Sequence, residues 1–215
     1  VRANTFIGLY LLRHLDLDDN KLYELEDFIF RGSELPQLEL LNLNHSRIYR
    51  ISSKAFVGAS SLKMVDLSYN FIAHPLDFLE GLHSLHMLDF TSNQIVTLQG
   101  SPFRDTTNLE NLVLSSNLLT NITASDFKGL TRLTRLHLNQ NFISSIEDGA
   151  FDPLTFLDDL DLSVNQLKRL HEDLIPWDNI QKIYLHDNPW ICDCGNQWLL
   201  NREIVLRWNL QTQMQ

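Results

Sequence analysis

A leucine pattern returns along this chain with a period close to 24 residues, and that period leaves few folds open. Aligning Leu-x-x-Leu-x-Leu-x-x-Asn-x-Leu gives eight copies, opening at Leu12, Leu38, Leu62, Leu85, Leu109, Leu133, Leu157 and Ile180. Their spacings are 26, 24, 23, 24, 24, 24 and 23 residues. The sixth copy reads Leu133, Leu136, Leu138, Asn141, Ile143, Ile146, Phe151 and Leu154. A phenylalanine recurs in the back half at Phe30, Phe56, Phe103, Phe127 and Phe151, and Phe6 and Leu9 read as the tail of a preceding copy.

Each copy opens on a Leu-x-Leu alternation, which suits a short strand with one buried face. An asparagine follows at Asn20, Asn70, Asn93, Asn117, Asn141, Asn165 and Asn188. Its carboxamide both donates and accepts, so it serves backbone groups where the chain leaves the strand, and stacked copies form a polar ladder. A unit of about 24 residues cannot bury its own apolar face, so neighbours must stack and share a core. The expected product is a curved solenoid with a parallel sheet on its concave side and irregular or short helical segments behind.

These residues resemble the leucine-rich repeat family in its longer extracellular form, from about Phe6 to Trp198. The resemblance implies a β-rich α/β fold, a right-handed leucine-rich repeat solenoid. It divides the chain into a truncated preceding repeat at 1–11, the array at 12–187 and an incomplete C-terminal cap at 188–215. Departures from the repeat are expected to mark local bulges: Ser46 in place of the ladder asparagine, Pro75 at the last apolar position of the third copy, and two extra residues within Glu26–Gly32.

Two cysteines stand in Asn188-Pro189-Trp190-Ile191-Cys192-Asp193-Cys194. Residues two apart on an extended chain project oppositely, which disfavours a bond between Cys192 and Cys194. A two-thiolate metal site with His186 and Asp187 is the alternative, although structural zinc takes four protein ligands. The stretch resembles the opening of the family's C-terminal cap. That resemblance implies disulfides from Cys192 and Cys194 to cysteines beyond this segment, an apolar cap formed by Trp198, Leu199, Leu200, Ile204, Leu206 and Trp208, and a chain that is a fragment. Cap disulfides require an oxidising compartment. Two glycosylation sequons, at Asn44 and Asn121, agree with an extracellular location.

Seventeen Lys and Arg stand against 27 Asp and Glu, a formal net charge of −10 that disfavours nucleic acid and anionic membrane as partners. The longest uninterrupted apolar stretch, Phe6 to Leu12, falls far short of the ~20 residues a membrane-spanning helix needs. No Gly-x-Ser-x-Gly elbow, phosphate-binding Gly loop or His-Glu-x-x-His occurs. His14, Asp16 and Ser46 make a triad only on paper, without an oxyanion site. The reading is therefore not an enzyme, with no cofactor and no resident metal. Asp16, Asp18, Asn42 and Asn44 share one face, which is either a solvated acidic surface or, less favourably, a calcium site.

The positions between the buried leucines face outward as columns. One column reads His14, Leu40, Met64, Met87, Asn111, Arg135, Asp159 and Lys182; the next reads Asp16, Asn42, Asp66, Asp89, Val113, His137, Asp161 and Tyr184. Leu40, Met64 and Met87 are expected side by side outside the core, with Asp66 and Asp89 beside them and Tyr69 as a nearby aromatic anchor. This strip is the candidate ligand-binding site, suited to a protein carrying apolar side chains among Lys or Arg. The resemblance implies a non-catalytic recognition module of a cell-surface receptor, of the Toll-type innate immune or adhesion kind, with homo- or hetero-oligomers formed through the parent protein. The alternative is a secreted scaffold of matrix or circulating immune complexes, and a third class is a horseshoe that plugs an enzyme's active site.

Overall fold

The computed structural model describes residues 5–73, 76–177, 179–191 and 196. In chain order its strands are β1 (His14–Asp16), β2 (Glu24–Leu25), β3 (Leu40–Asn42), β4 (Arg50–Ile51), β5 (Met64–Asp66) and β6 (Met87–Asp89). They continue with β7 (Asn111–Val113), β8 (Asn121–Ile122), β9 (Arg135–His137), β10 (Ser145–Ile146), β11 (Asp159–Asp161) and β12 (Lys182–Tyr184). The first strand of every repeat joins one eight-stranded sheet in the order β1-β3-β5-β6-β7-β9-β11-β12, parallel throughout. In this sheet the central residue of each strand from β3 onward is buried (Leu41, Val65, Leu88, Leu112, Leu136, Leu160, Ile183), and so is the residue two further on. The expected parallel-sheet solenoid is thus the observed fold.

The return path carries less helix than a mixed fold suggests. Among the described residues it holds two short 3-10 turns, Asp77–Leu79 and Glu172–Leu174, and two two-stranded parallel sheets, β2-β4 and β8-β10. No helix among them is long and apolar enough to cross a membrane. At the β2-β4 flank Glu24 accepts from the Tyr49 hydroxyl and from Arg50 Nε at 3.0 Å. The Tyr49 hydrogen bond, followed by that of Arg50, holds the Glu24 carboxyl below its ordinary range, while Glu24 raises Tyr49.

From Asn70 to Asn188 the asparagine ladder is continuous. Asn141 Oδ1 accepts from the Leu119 N–H at 3.1 Å, and its Nδ2 donates to Leu114 O in the preceding repeat at 2.9 Å and Leu138 O in its own at 3.0 Å. Asn70, Asn93, Asn117, Asn165 and Asn188 repeat the pattern. Ser46 keeps only the donor half: its Oγ bonds Leu17 O at 2.9 Å, and its backbone carbonyl accepts from Leu22 N–H in place of the missing side-chain oxygen. This substitution is absorbed by backbone geometry within the strand exit.

The aromatic spine runs Phe6–Phe30–Phe56–Phe78, with centroids 5.7, 5.4 and 5.8 Å apart. Phe78 belongs to this row although the sequence spacing hides it: it lies 16 residues past its repeat's opening leucine, where the other copies have 18. Phe90, at an inward strand position that elsewhere holds leucine, packs edge-on against Phe78 and fills the space left by the shorter repeat. The long first repeat is taken up by left-handed backbone at Tyr23 and Phe28, with Arg31 over the Phe28 ring. Pro75 lies outside the described residues.

One further column runs through every repeat. The residue before each ladder position has a left-handed backbone: Asp19, His45, Tyr69, Ser92, Ser116, Gln140, Val164 and Asp187, with φ from 49° to 57°. The turn lets each N–H from Asp19 to Val164 reach a carbonyl of the next repeat, as in Gln140 N–H to Ser163 O at 3.1 Å. Valine is poorly suited to this region, since its branched Cβ crowds the carbonyl. Val164→Asn is expected to stabilise the protein by about 1 kcal/mol, read as a thermal midpoint about 2–4 °C higher. An unchanged or lower midpoint would show that packing of the valine outweighs its backbone strain.

Candidate functional site

The register places the predicted columns side by side. Leu40 pairs with Met64 and Met64 with Met87; Asn42 pairs with Asp66 and Asp66 with Asp89. Met64 is 38% exposed, while Leu40 and Met87 are half-buried by their neighbours. Tyr69 is exposed and stacks on His45, with centroids 4.3 Å apart and planes 12° from parallel. The six residues therefore lie on three adjacent strands and the turn after β5.

The acidic column has a structural task that the sequence pattern did not reveal. Asp16, Asn42, Asp66, Asp89 and Asp161 each use Oδ1 to accept from the backbone N–H two residues on, at 2.7–3.2 Å. Asp and Asn favour such a local turn because their short side chains reach that amide. Asp66 Oδ1 also accepts from the Ser68 hydroxyl at 2.6 Å, and its Oδ2 faces Asn44 Nδ2 at 3.5 Å. The carboxylates beside the methionines are thereby held in fixed orientations rather than free to swing.

Other candidates are tied up in the same way. The Ser46 hydroxyl is buried and donates to Leu17 O and Asn44 O, so the paper triad has no available nucleophile there. Two surface histidines just before β6 also sit against backbone carbonyls, His83 Nδ1 2.9 Å from Asp105 O and His86 Nδ1 2.6 Å from Ser84 O. His186 Nδ1 is 2.9 Å from Asp187 Oδ2. Cys192 and Cys194 lie outside the described residues.

Farther along the sheet, Asp159 departs from the outward-facing expectation. It is only 6% exposed, because Arg135 Nε (3.6 Å), Lys182 Nζ (3.5 Å) and His137 Nε2 (3.6 Å) close over its carboxylate. Opposite charge from both neighbouring strands compensates a buried carboxylate that would otherwise be costly. The first strands of the face are acidic and apolar, and the last strands carry basic groups.

The flank beyond the ladder exposes more apolar surface than the inner face does. Phe71, Leu118 and Phe142, each immediately after a ladder asparagine, are 49%, 40% and 52% exposed. Tyr23, Tyr49 and Val96, three positions past the ladder, are exposed as well. The signal was present in the apolar residue between Asn and Leu of the motif. It is masked by the buried leucine or isoleucine that follows it directly.

A family model described as "Leucine rich repeat" matches residues 10–72, 36–95, 83–141 and 131–189. Trophoblast glycoprotein of Mus musculus is 31% identical over 226 residues, covering 90% of this chain and 42% of that protein. Toll-like receptor 3 of Homo sapiens is 31% identical over 118 residues, covering 53% of this chain and 13% of that protein. The chain thus spans less than half the length of these relatives. Among solved structures, a leucine-rich repeat protein of Leptospira interrogans superposes with a TM-score of 0.77 at 27% identity, covering 90% of this chain and 47% of that one. The Toll protein of the Drosophila Toll–Spatzle complex superposes at 0.73 and 24% identity, covering 83% of this chain and 25% of that one, a likeness of fold alone. With overlapping matches from residue 10 to residue 189 laid over eight registered turns of one parallel sheet, the chain belongs to the leucine-rich repeat family.

Proposed function

We propose that this chain is a non-catalytic extracellular recognition module, part of a cell-surface receptor of the Toll-type or adhesion kind, which binds a protein ligand on its concave and lateral surface. The observation that carries the reading is the row Leu40–Met64–Met87, unpaired with any core and bordered by the oriented carboxylates of Asp66 and Asp89. Flexible thioethers accommodate an irregular apolar surface, and the aspartates select Lys or Arg around it. Relatives named as a glycoprotein and as receptors favour this reading. The array at 12–187 carries the ligand, and 188–215 belongs to a cap. A related solved structure is a TLR13–ssRNA13 complex, but a net charge of −10 opposes a polyanion here.

The test is affinity capture from extracellular fluid with the full-length protein and its Met64→Glu, Met87→Glu variant, both checked for folding by circular dichroism. The variant is expected to weaken capture of a specific protein about 100-fold, since it removes two apolar contacts and sets carboxylates against carboxylates. Equal retention by both would remove the strip from the binding surface. Absence of any retained protein would favour the secreted scaffold.

A further inference from the structure

The exposed apolar flank is interrupted by no charge in its middle. The positions one and three past the ladder asparagine in repeats four to six are Gln94 and Val96, Leu118 and Thr120, and Phe142 and Ser144. Backbone hydrogen bonds from Leu118 N–H to Ile95 O and from Phe142 N–H to Leu119 O, both 2.9 Å, bring Val96, Leu118 and Phe142 onto successive turns. An uncharged apolar surface of this kind is where two copies of an acidic chain approach without repulsion, so leaving it bare favours self-association.

Asn121 stands beside this surface, three residues beyond Leu118 and so about 10 Å along extended chain. It is exposed at the start of β8, while Ile122 next to it is fully buried and anchors the segment. Its Oδ1 accepts from Thr120 Oγ1 at 3.3 Å, and its Nδ2 has no acceptor among the described residues. The sequon's Thr123 is held by Asp126, through its hydroxyl at 2.6 Å and its N–H at 2.9 Å. At the other sequon, Asn44 Nδ2 is turned toward Asp66 Oδ2 and Ser46 is buried.

We infer that an N-linked glycan on Asn121 covers the Val96–Leu118–Phe142 flank and keeps it from pairing with a second copy. The inference rests on the extracellular reading above. The oligosaccharide is supplied by a polyprenyl-diphosphate-linked donor. A bond forms between Nδ2 and the sugar's anomeric carbon, the carbon–oxygen bond to the diphosphate breaks, and the Nδ2 proton is lost as the diphosphate departs. A bulky, hydrated glycan at this position shields the apolar side chains and leaves the sheet's inner face open.

The experiment compares the full-length protein secreted from eukaryotic cells with Asn121→Gln and with Asn121→Gln, Phe142→Ser. Glycopeptide mass spectrometry reads occupancy, and sedimentation velocity over a concentration series reads association. The parent is expected to carry a glycan on Asn121. Asn121→Gln is expected to associate at a concentration at least 10-fold lower, and Phe142→Ser to reverse that shift. An unmodified Asn121 would overturn the inference and count against the extracellular reading as well. A modified Asn121 whose loss leaves sedimentation unchanged would overturn the shielding while that reading stands. Association that Phe142→Ser does not reverse would place the contact elsewhere and overturn the shielding too.

Discussion

Replacing Asn141 with leucine is expected to destabilise the protein by about 3–5 kcal/mol, while the same change at Asn20 costs less than about 1 kcal/mol. The two residues occupy the same motif position, so the motif alone predicts equal effects. Asn141 is buried and serves an N–H of the preceding repeat and carbonyls of two repeats. Leucine leaves these backbone groups without partners in a site closed to water, and each such group costs about 1–3 kcal/mol. Asn20 is exposed, and among the described residues its amide donates to Leu17 O and Asp18 O, bonds that water replaces. Thermal and urea denaturation of the two variants reads the difference. Equal losses would mean that the carboxamides act locally in their own turns and not between repeats.

Gly129→Ala is expected to be of similar size, about 3–5 kcal/mol, against about 1–2 kcal/mol for Gly81→Ala. Both glycines have positive φ, 102° and 81°, so both alanines carry backbone strain. At Gly81 an added Cβ meets nothing within 4 Å. At Gly129 it lies 2.6 Å from Arg104 Cα and 2.7 Å from the carbonyl oxygens of Phe103 and Arg104, all backbone atoms of the preceding turn. Backbone cannot rotate aside as a side chain would, so the turns must separate. Because an array of repeats is held by nearest-neighbour contacts, the loss is expected to show first as faster amide exchange at that junction. Equal midpoints for the two variants would mean that the stack absorbs the displacement.

The spacing of leucines set the sheet, its register and the identity of each column, because alternation in a three-residue strand leaves one inward position and that position repeats. What escaped were effects of the strand exit and of neighbours across the stack. Asp66 and Asp89 read as an acidic row beside the methionines, and each also holds an amide two residues on, which is decided by how the chain leaves the strand. Asp159 read as outward-facing, yet cations from two adjacent strands bury it. Phe78 was hidden by a two-residue displacement, and Phe142 by the buried isoleucine that follows it directly. The left-handed column has no composition signature, since Asp, His, Tyr, Ser, Gln and Val all occupy it.

The ladder also has a direction. From Asn70 onward each carboxamide reaches back to the repeat before it, to an N–H 21–22 residues earlier and a carbonyl 26–27 residues earlier. During synthesis a newly emerged turn therefore waits for the next one before its polar groups are closed. The growing end is always the incomplete one, and each finished turn is locked by its successor. Vectorial translation and this backward grip run the same way, so the polar groups of each turn are closed only once its successor is in place.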